Sequence, residues 1–357
     1  DLVVKNYALT RRDAEVLQGQ EWLAVCVDEA QAIKNPGAAI SHTVKQLNAR
    51  YRIALTGTPI ENRLTDLWSI MDFAVPGYLP PQQSFEARMR RLDDGLAFKM
   101  LRARLRPVLL RRVKQEVAPE LPPRIEERRD CAMESAQRKL YLRELKTARL
   151  LLEEAGDQKV AGKQRIMILA ALTRLRQICC DPGVLGHEAG SGKTEVLLET
   201  LLPLLENGEK VLVFSQFVRV LQRLEARLNK ENVRTHLLTG STNNRQQLVE
   251  RFEADTKPGV FLISLKAGGT GLNLTSAAHV ILFDPWWNPA VEAQAIDRTH
   301  RIGQDRTVLA FRLVAENTIE ERILELQARK RDLVKNVFEA DGFNRMLTRE
   351  DFDFILS

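Results

Sequence analysis

Two adjacent carboxylates, Asp28 and Glu29, close the apolar run Trp22–Val27. Charges at the end of a buried strand are costly unless they meet a cation or a proton to move. Hydrolysis of a nucleoside triphosphate uses both: one acid to hold Mg2+, often through water, and one to orient the attacking water. An acidic helix N-cap behind a strand leaves the same pattern, and many α/β proteins have one. Arg298 and Arg301 are three apart in a stretch predicted to be helical, so they share a face. That pair can meet the charge that develops in phosphoryl transfer; it can equally be a solvated basic face. Gly268-Gly269-Thr270-Gly271 follows the run Val260–Ser264. Glycines there let backbone N–H groups approach a phosphate, or simply make a tight turn. Trp286 and Trp287 offer faces for stacking, but large aromatics mostly pack, so at least one is expected in the core.

Gly190-Ser191-Gly192-Lys193-Thr194 invites a phosphate-loop reading. The full pattern needs a glycine five residues before Gly192, and that place holds His187. It also needs a preceding strand, whereas Asp181–Gly186 contains Pro182 and two glycines. An amphipathic helix, Thr194–Glu206, follows, so half the context is present. The stretch is therefore predicted to be a flexible linker, and a phosphate-loop kinase centred on Lys193 has the weakest support.

The elements that must position these residues fall into zones. Residues 1 to about 75 carry short apolar runs, Trp22–Val27 and Arg52–Leu55, each with polar residues directly behind. Alternation with helical stretches predicts a parallel α/β sheet, whose ligands gather at the carboxyl ends of strands. Residues 76 to about 190 are charged and helical. Leu101–Val117 is rich in arginine, Pro122-Pro123 breaks it, and helices are predicted over Ser135–Glu154 and Lys163–Cys179. Strand signals are missing there. From about 191 to 330, strands are predicted at Lys210–Ser215, Thr235–Leu238, Val260–Ser264, Val280–Asp284 and Val308–Val314, with helices such as Val218–Asn229 and Asn244–Phe252 between them. A long charged helix from about Thr318 and then a short acidic end complete the chain.

With 357 residues, 44% of them apolar, the chain can bury two cores. A formal net charge of +6 permits an anionic partner without requiring one. The four cysteines, Cys26, Cys131, Cys179 and Cys180, have no metal-ligand spacing and make no disulfide framework, so a reducing compartment fits. Cys26, inside an apolar run, is expected to be buried. No apolar run approaches the ~20 residues that span a membrane, and no signal peptide is expected.

The motifs together resemble the SWI/SNF-type family of helicase-like DNA translocase ATPases. Val27-Asp28-Glu29-Ala30-Gln31-Ala32-Ile33-Lys34-Asn35-Pro36 resembles its Walker B motif. Leu55-Thr56-Gly57-Thr58-Pro59-Ile60-Glu61-Asn62 resembles its third motif. Phe261–Leu274, with Lys266-Ala267-Gly268-Gly269-Thr270-Gly271-Leu272-Asn273, resembles its fifth. Asp284-Pro285-Trp286-Trp287-Asn288-Pro289 and Gln294–Gln304 resemble its sixth and the segment before it. The match runs in order from about residue 1 to 335. Ala118-Pro119-Glu120-Leu121-Pro122-Pro123 resembles the bacterial or archaeal branch.

The resemblance implies tandem RecA-like, doubly wound parallel sheets with family-specific helical insertions and ATP between the lobes. The parts would be 1–75 for lobe one, 76–190 for insertions and linker, 191–330 for lobe two and 331–357 for a tail. It implies ATP and Mg2+ as cofactors, with Asp28 on the metal, Glu29 on the water, Gln31 sensing the γ-phosphate and coupling it to the motif near Thr56, and Arg298 and Arg301 as arginine fingers. Nucleotide contacts are implied at Gly57, Thr58, Gly269, Gly271 and Gln294. DNA contacts are implied at Thr56, Lys266, Gly268, Thr270, Trp287 and Asn288, with Arg245 a further basic candidate. The partner is the phosphate backbone of double-stranded DNA, read without sequence preference and without strand separation. Beyond it lies a nucleoprotein target such as RNA polymerase or another DNA-bound protein; no membrane is involved. The location is the nucleoid in a prokaryote or the nucleus in a eukaryote. In the family's motif order the Walker A loop precedes a segment like Asp1–Leu9, so it is expected before residue 1, leaving lobe one incomplete and this stretch inactive alone. A non-hydrolysing DNA- or protein-binding module is the competing reading.

Overall fold

A computed structural model describes residues 1–57, 64–91, 100–101, 103–112, 114–154, 162–265, 267, 272–334 and 349–357. The chain divides into two compact units, the first built on Asp1–Arg111 and the second on Arg112–Ala328 with the C-terminal helix.

In the first unit, β1 (Glu21–Val27) and β2 (Asn48–Ala54) pair in parallel, with Val27 opposite Ala54. Asn6 opens the first helix, Tyr7–Arg12, by accepting from Leu9 N at 2.9 Å. A core of Val27, Ala30, Ile33, Val44, Ile70 and Phe73 joins the strands to helices Ala39–Lys45 and Leu64–Ala74. The turn after β1 is pinned from both helices: Ser41 and Ser69 each donate to Ile33 O, at 3.2 and 2.7 Å. The run Trp22–Val27, expected to be buried, is largely exposed; Leu23 is 70% accessible and the Cys26 thiol is exposed, not buried. Among the described residues β1 has β2 as its one strand neighbour, and only Val25 and Val27 of the run reach the core.

The second unit holds six parallel strands in the order β3-β8-β7-β4-β6-β5. They are β3 (Arg124–Cys131), β4 (Lys210–Ser215), β5 (Thr235–Leu238), β6 (Gly259–Ser264), β7 (His279–Leu282) and β8 (Val308–Ala315). Strict alternation divides two cores. Val211, Val213, Val260, Leu262, Ile281 and Leu313 face helices Gly192–Glu206 and Val218–Lys230. Leu212, Phe214, Phe261, Ile263, Val280 and Leu282 face helices Arg245–Ala254 and Pro289–Ile296. The chain winds from β4 to β5 and β6 on one side, then crosses to β7 and β8 on the other. The winding reverses at the carboxyl ends of β4 and β7, the place where open α/β sheets take ligands.

Strand β3 lies in the stretch expected to lack strands. Its residues Arg124, Glu126, Glu127, Arg128, Arg129 and Asp130 make a charged sheet edge, and only Cys131 is buried. Charge on an edge strand deters further pairing, and it also erases the apolar alternation by which a strand is recognised. Helices Ser135–Glu154 and Gly162–Cys180 pack together and belong to this second unit.

Candidate functional site

The first unit gathers its polar residues at the carboxyl ends of β1 and β2. Glu29 has φ 49° and ψ 54°, a left-handed conformation that costs a non-glycine residue about 1–3 kcal/mol. Parallel backbone bonds hold it there: Leu55 N donates to Val27 O at 2.8 Å and Ala30 N to Leu55 O at 2.9 Å. This turn directs Glu29 to Gln31, whose Nε2 donates to Glu29 Oε2 at 2.7 Å. Thr56 Oγ1 in turn donates to Gln31 Oε1 at 2.8 Å. Glu29, Gln31 and Thr56 therefore form one relay from the acid to the segment behind β2. Asp28 is exposed, with Oδ1 accepting from Glu29 N at 2.9 Å. Mg2+ usually keeps several waters and takes one or two carboxylates plus substrate phosphates. An exposed carboxylate at a strand end fits that role, and the described residues form no closed cluster of three acids, cysteines or histidines.

Tyr7 was not among the candidates. Its hydroxyl donates to Asp28 O at 2.6 Å. Burial, with the charges of Asp28 and Glu29, pushes its phenol up to about 12, so it stays a donor. A tyrosine six residues into the sequence, far from the acids, carries no local signal of this contact.

In the second unit the helix Pro289–Ile296 ends before the two arginines, which lie in the turns that follow, not on a helix. Past Ile296 the chain tightens, with Arg298 N and Thr299 N donating three residues back to Ala295 O and Ile296 O at 3.2 and 3.1 Å, and groups from elsewhere take carbonyls of the turn. Leu274 N donates to Arg298 O at 3.0 Å. Lys114 Nζ donates to His300 O at 2.9 Å. Gln304 pins the far end, its Nε2 reaching Thr275 O, Ala277 O and Thr299 O at 3.1, 3.1 and 3.2 Å. Gly303 then turns away at φ 100°. Arg298 is 3% exposed. Arg301 is half-buried, with NH1 donating to Leu272 O at 3.3 Å. Gln294 is half-buried on the helix before them.

The loop after β7 is gripped from three helices. Arg176 donates to Pro285 O. Trp286 N donates to Glu292 Oε1 at 2.6 Å, and Gln327 Nε2 donates to Trp286 O at 2.5 Å. Burial lifts the Glu292 carboxyl above its usual range, against the pull of Arg312, whose NH2 lies 2.8 Å from it. Asp284 is buried and accepts from Ser215 Oγ at 2.5 Å and Gln216 N at 3.3 Å. Trp286 packs on the core. Trp287 is half-buried with the Arg176 guanidinium 5.2 Å from its ring, and Asn288 is buried. Arg176 and Glu292 were not candidates either. Arg176 sits four residues after Leu172 on the buried stripe of its helix, and a charge in an apolar stripe was the available signal. Arg245 NH2 donates to Gly240 O at 2.9 Å. Candidates Thr58, Lys266, Gly268, Gly269, Thr270 and Gly271 lie outside the described residues; Thr56 is half-buried and Gly57 exposed.

The stretch around Lys193 is neither a flexible linker nor a phosphate loop. Ser191 caps the helix Gly192–Glu206, and Gly192 is so close to Ala132 O that a Cβ would lie 1.8 Å from it. Lys193 is 1% exposed and donates to Phe283 O at 2.9 Å, Leu313 O at 3.1 Å and Glu320 Oε1 at 2.8 Å. Burial works against charge on both partners, lifting Glu320 and opposing the ammonium. Lys193 is nonetheless held above its ordinary value, because Glu320 faces it. Glu320 Oε2 also accepts from Ala315 N at 2.9 Å, a bond that favours the carboxylate.

Comparison with known proteins finds two domain matches: an SNF2-related domain over residues 1–184 and a helicase conserved C-terminal domain over residues 192–303. An uncharacterized ATP-dependent helicase of Mycoplasma pneumoniae is 37% identical over 98% of this chain and 34% of its own length. A putative ATP-dependent helicase/translocase of Bacillus subtilis is 37% identical over 99% of this chain and 40% of its own. The chain thus spans 34–40% of these curated relatives. The Sulfolobus solfataricus SWI2/SNF2 ATPase core in complex with dsDNA is 35% identical, covering 98% of this chain and 75% of that one, with a TM-score of 0.54.

Proposed function

Because the chain belongs to the SNF2-related domain family, we propose that it is the motor portion of an ATP-driven double-stranded-DNA translocase that does not separate the strands. The observation that carries this is the relay Glu29–Gln31–Thr56, 2.7 and 2.8 Å in its two hydrogen bonds. It gives a general base, a neighbouring amide that can feel a phosphate, and a hydroxyl on the next motif. In this reading Glu29 orients and deprotonates the attacking water, and Gln31 passes the state of the nucleotide to Thr56. Asp28 would hold Mg2+, which neutralises charge on the phosphates when bound. Tyr7 fixes the backbone of Asp28. Arg301, with Arg298 behind it, supplies the cationic fork for the γ-phosphate.

The DNA-bound Sulfolobus relative supports duplex DNA as the partner. A translocase must release every register it steps through, so its contacts go to phosphates rather than base edges. A yeast relative, 34% identical, is named an ISWI chromatin-remodeling complex ATPase, which supports a DNA-bound protein as the load. Within these 357 residues the one lysine in a phosphate-loop-like setting, Lys193, is committed to Glu320. The 357-residue stretch alone is therefore proposed not to hydrolyse ATP. The test is Glu29→Gln in the full-length protein. DNA-stimulated ATP turnover is expected to disappear while DNA affinity stays; turnover within a few-fold of wild type would refute the assignment.

A further inference from the structure

The two arginines lie just past helix Pro289–Ile296, whose last carbonyls accept from the amides of residues 297–300, and contacts from elsewhere complete their placement. The segment Lys114–Arg124, which opens the second unit, does so from one side. Lys114 Nζ donates to Asp297 Oδ1 at 2.6 Å and to His300 O at 2.9 Å. One ammonium therefore brackets the turn on both sides of Arg298 and immediately before Arg301. Arg124 NH1 reaches the same Asp297 Oδ1 at 3.3 Å. His300 Nε2 lies 2.8 Å from Pro122 O, a contact that requires its proton on Nε2. The segment is itself fastened to the sheet, since Val308 N donates to Pro123 O at 3.1 Å and Arg124 is the first paired residue of β3.

We infer that Lys114–Arg124 is a clasp that positions the arginine-bearing turn 297–301, with Lys114 as its positioning residue. This rests on the reading above that Arg301 acts on a phosphate. The clasp is poorly placed to serve stability. Lys114 and Asp297 are 41% and 33% exposed at the side chain, and such pairs contribute about 0–1 kcal/mol. What the pair does fix is geometry: it gives the turn a further point of attachment, besides those made by Leu274, Gln304 and the helix end. Displacement of a phosphate-binding group by about 1 Å can cost on the order of a hundredfold in rate. A weak contact for folding is thus a strong one for turnover.

The experiment uses the full-length protein with Lys114→Met, Lys114→Arg, Asp297→Asn, the double variant Lys114→Met/Asp297→Asn, and Arg301→Ala as reference. DNA-stimulated kcat, KM for ATP, DNA Kd and Tm are measured for each. Lys114→Met and Asp297→Asn are each expected to lower kcat about tenfold or more, with Tm and DNA Kd near wild type. The double variant should lose much less than the two single losses combined, because the singles share the Lys114–Asp297 contact. Lys114→Arg, which keeps the charge, should recover most of kcat. If Lys114→Met keeps wild-type kcat while Arg301→Ala loses it, the clasp is overturned and the function stands. A loss of kcat that follows a fall in Tm and is not recovered by Lys114→Arg marks a structural contact only, and also overturns it. Wild-type kcat in Arg301→Ala removes the functional reading and the clasp together.

Discussion

Replacing Lys193 by methionine keeps most of the side-chain volume and removes the charge. In the structure that charge answers Glu320, 2.6 Å away at Oε2, and the carbonyls of Phe283, just past β7, and Leu313, within β8. Both partners are almost wholly buried, 1% and 0% exposed at the side chain. Among the described residues Glu320 would be left with one donor to its carboxylate, Ala315 N, and no counter-charge. Removing one member of a buried pair costs about 3–5 kcal/mol. For a unit of this size about 1 kcal/mol corresponds to roughly 2–4 °C in Tm, so Lys193→Met should lower the melting temperature of the second unit by about 6–20 °C. Adding Glu320→Gln should recover much of it, since the amide oxygen still accepts from Ala315 N and no buried charge remains. Differential scanning calorimetry with urea melts reads both variants, and nucleotide affinity is measured beside them. If Lys193→Met melts within about 2 °C of wild type and loses ATP binding instead, Lys193 is a phosphate ligand and the burial argument is wrong.

Burial pushes His279 below its ordinary value against the opposing charge of Glu209, and does the same to His236. Groups with a depressed folded pKa give stability that is complete above the unfolded value of 6.5 and is lost as pH falls through the folded one. The urea midpoint of the second unit should therefore fall between about pH 7.5 and 5.5, and His279→Gln should flatten part of that slope. Arg301→Ala should lower ATP turnover by about 10³-fold or more with Tm unchanged. Arg298→Ala, emptying a 3% exposed site, should lower both turnover and Tm; a stable Arg298→Ala with normal kcat would remove it from the site. DNA affinity should fall steeply with salt and vary little among sequences, read by anisotropy over a salt series; affinity indifferent to salt would count against phosphate contacts.

The parts legible in the sequence are those whose signal is local. Strands β4 and β5 fall on the residues where apolar runs place them: β4 is buried throughout because helices cover both faces of the sheet, while β5, at the end of the sheet, is fully buried only at Leu238. The relay Glu29–Gln31–Thr56 joins two motifs that were both identified, since each stands directly behind its strand. The misreadings share a cause as well. Strand β3 carries charge because it is an edge, Cys26 is exposed because β1 has few neighbours among the described residues, and the turn after Ile296 is held by distant donors to Arg298 O and His300 O. None of these depends on the residues nearby in sequence. Tyr7, Lys114 and Arg176 escaped notice on the same ground: their partners are 21, 183 and 109 residues away.

The buried cations of the second unit follow a common physical rule. Where parallel strands end, their last carbonyls lose the ladder and must find donors. Open α/β sheets leave that edge for a ligand at the point where the winding reverses. Here the chain covers part of it with its own cations. Arg176 reaches Pro285 O and Gln216 Oε1 at the ends of β7 and β4, and Lys193 reaches Phe283 O and Leu313 O at the end of β7 and within β8. Each brings a buried acid with it, Asp284 at 3.7 Å from Arg176 and Glu320 beside Lys193. The two cations come from helices Gly162–Cys180 and Gly192–Glu206, which precede β4 in the chain. The loop that begins at Asp284 is therefore set before any ligand arrives, with its backbone held at Pro285 and Trp286 and its second tryptophan under a guanidinium. A loop fixed in this way cannot adapt to a base sequence. It presents one shape, which under the proposed function would meet one phosphate after another along the duplex.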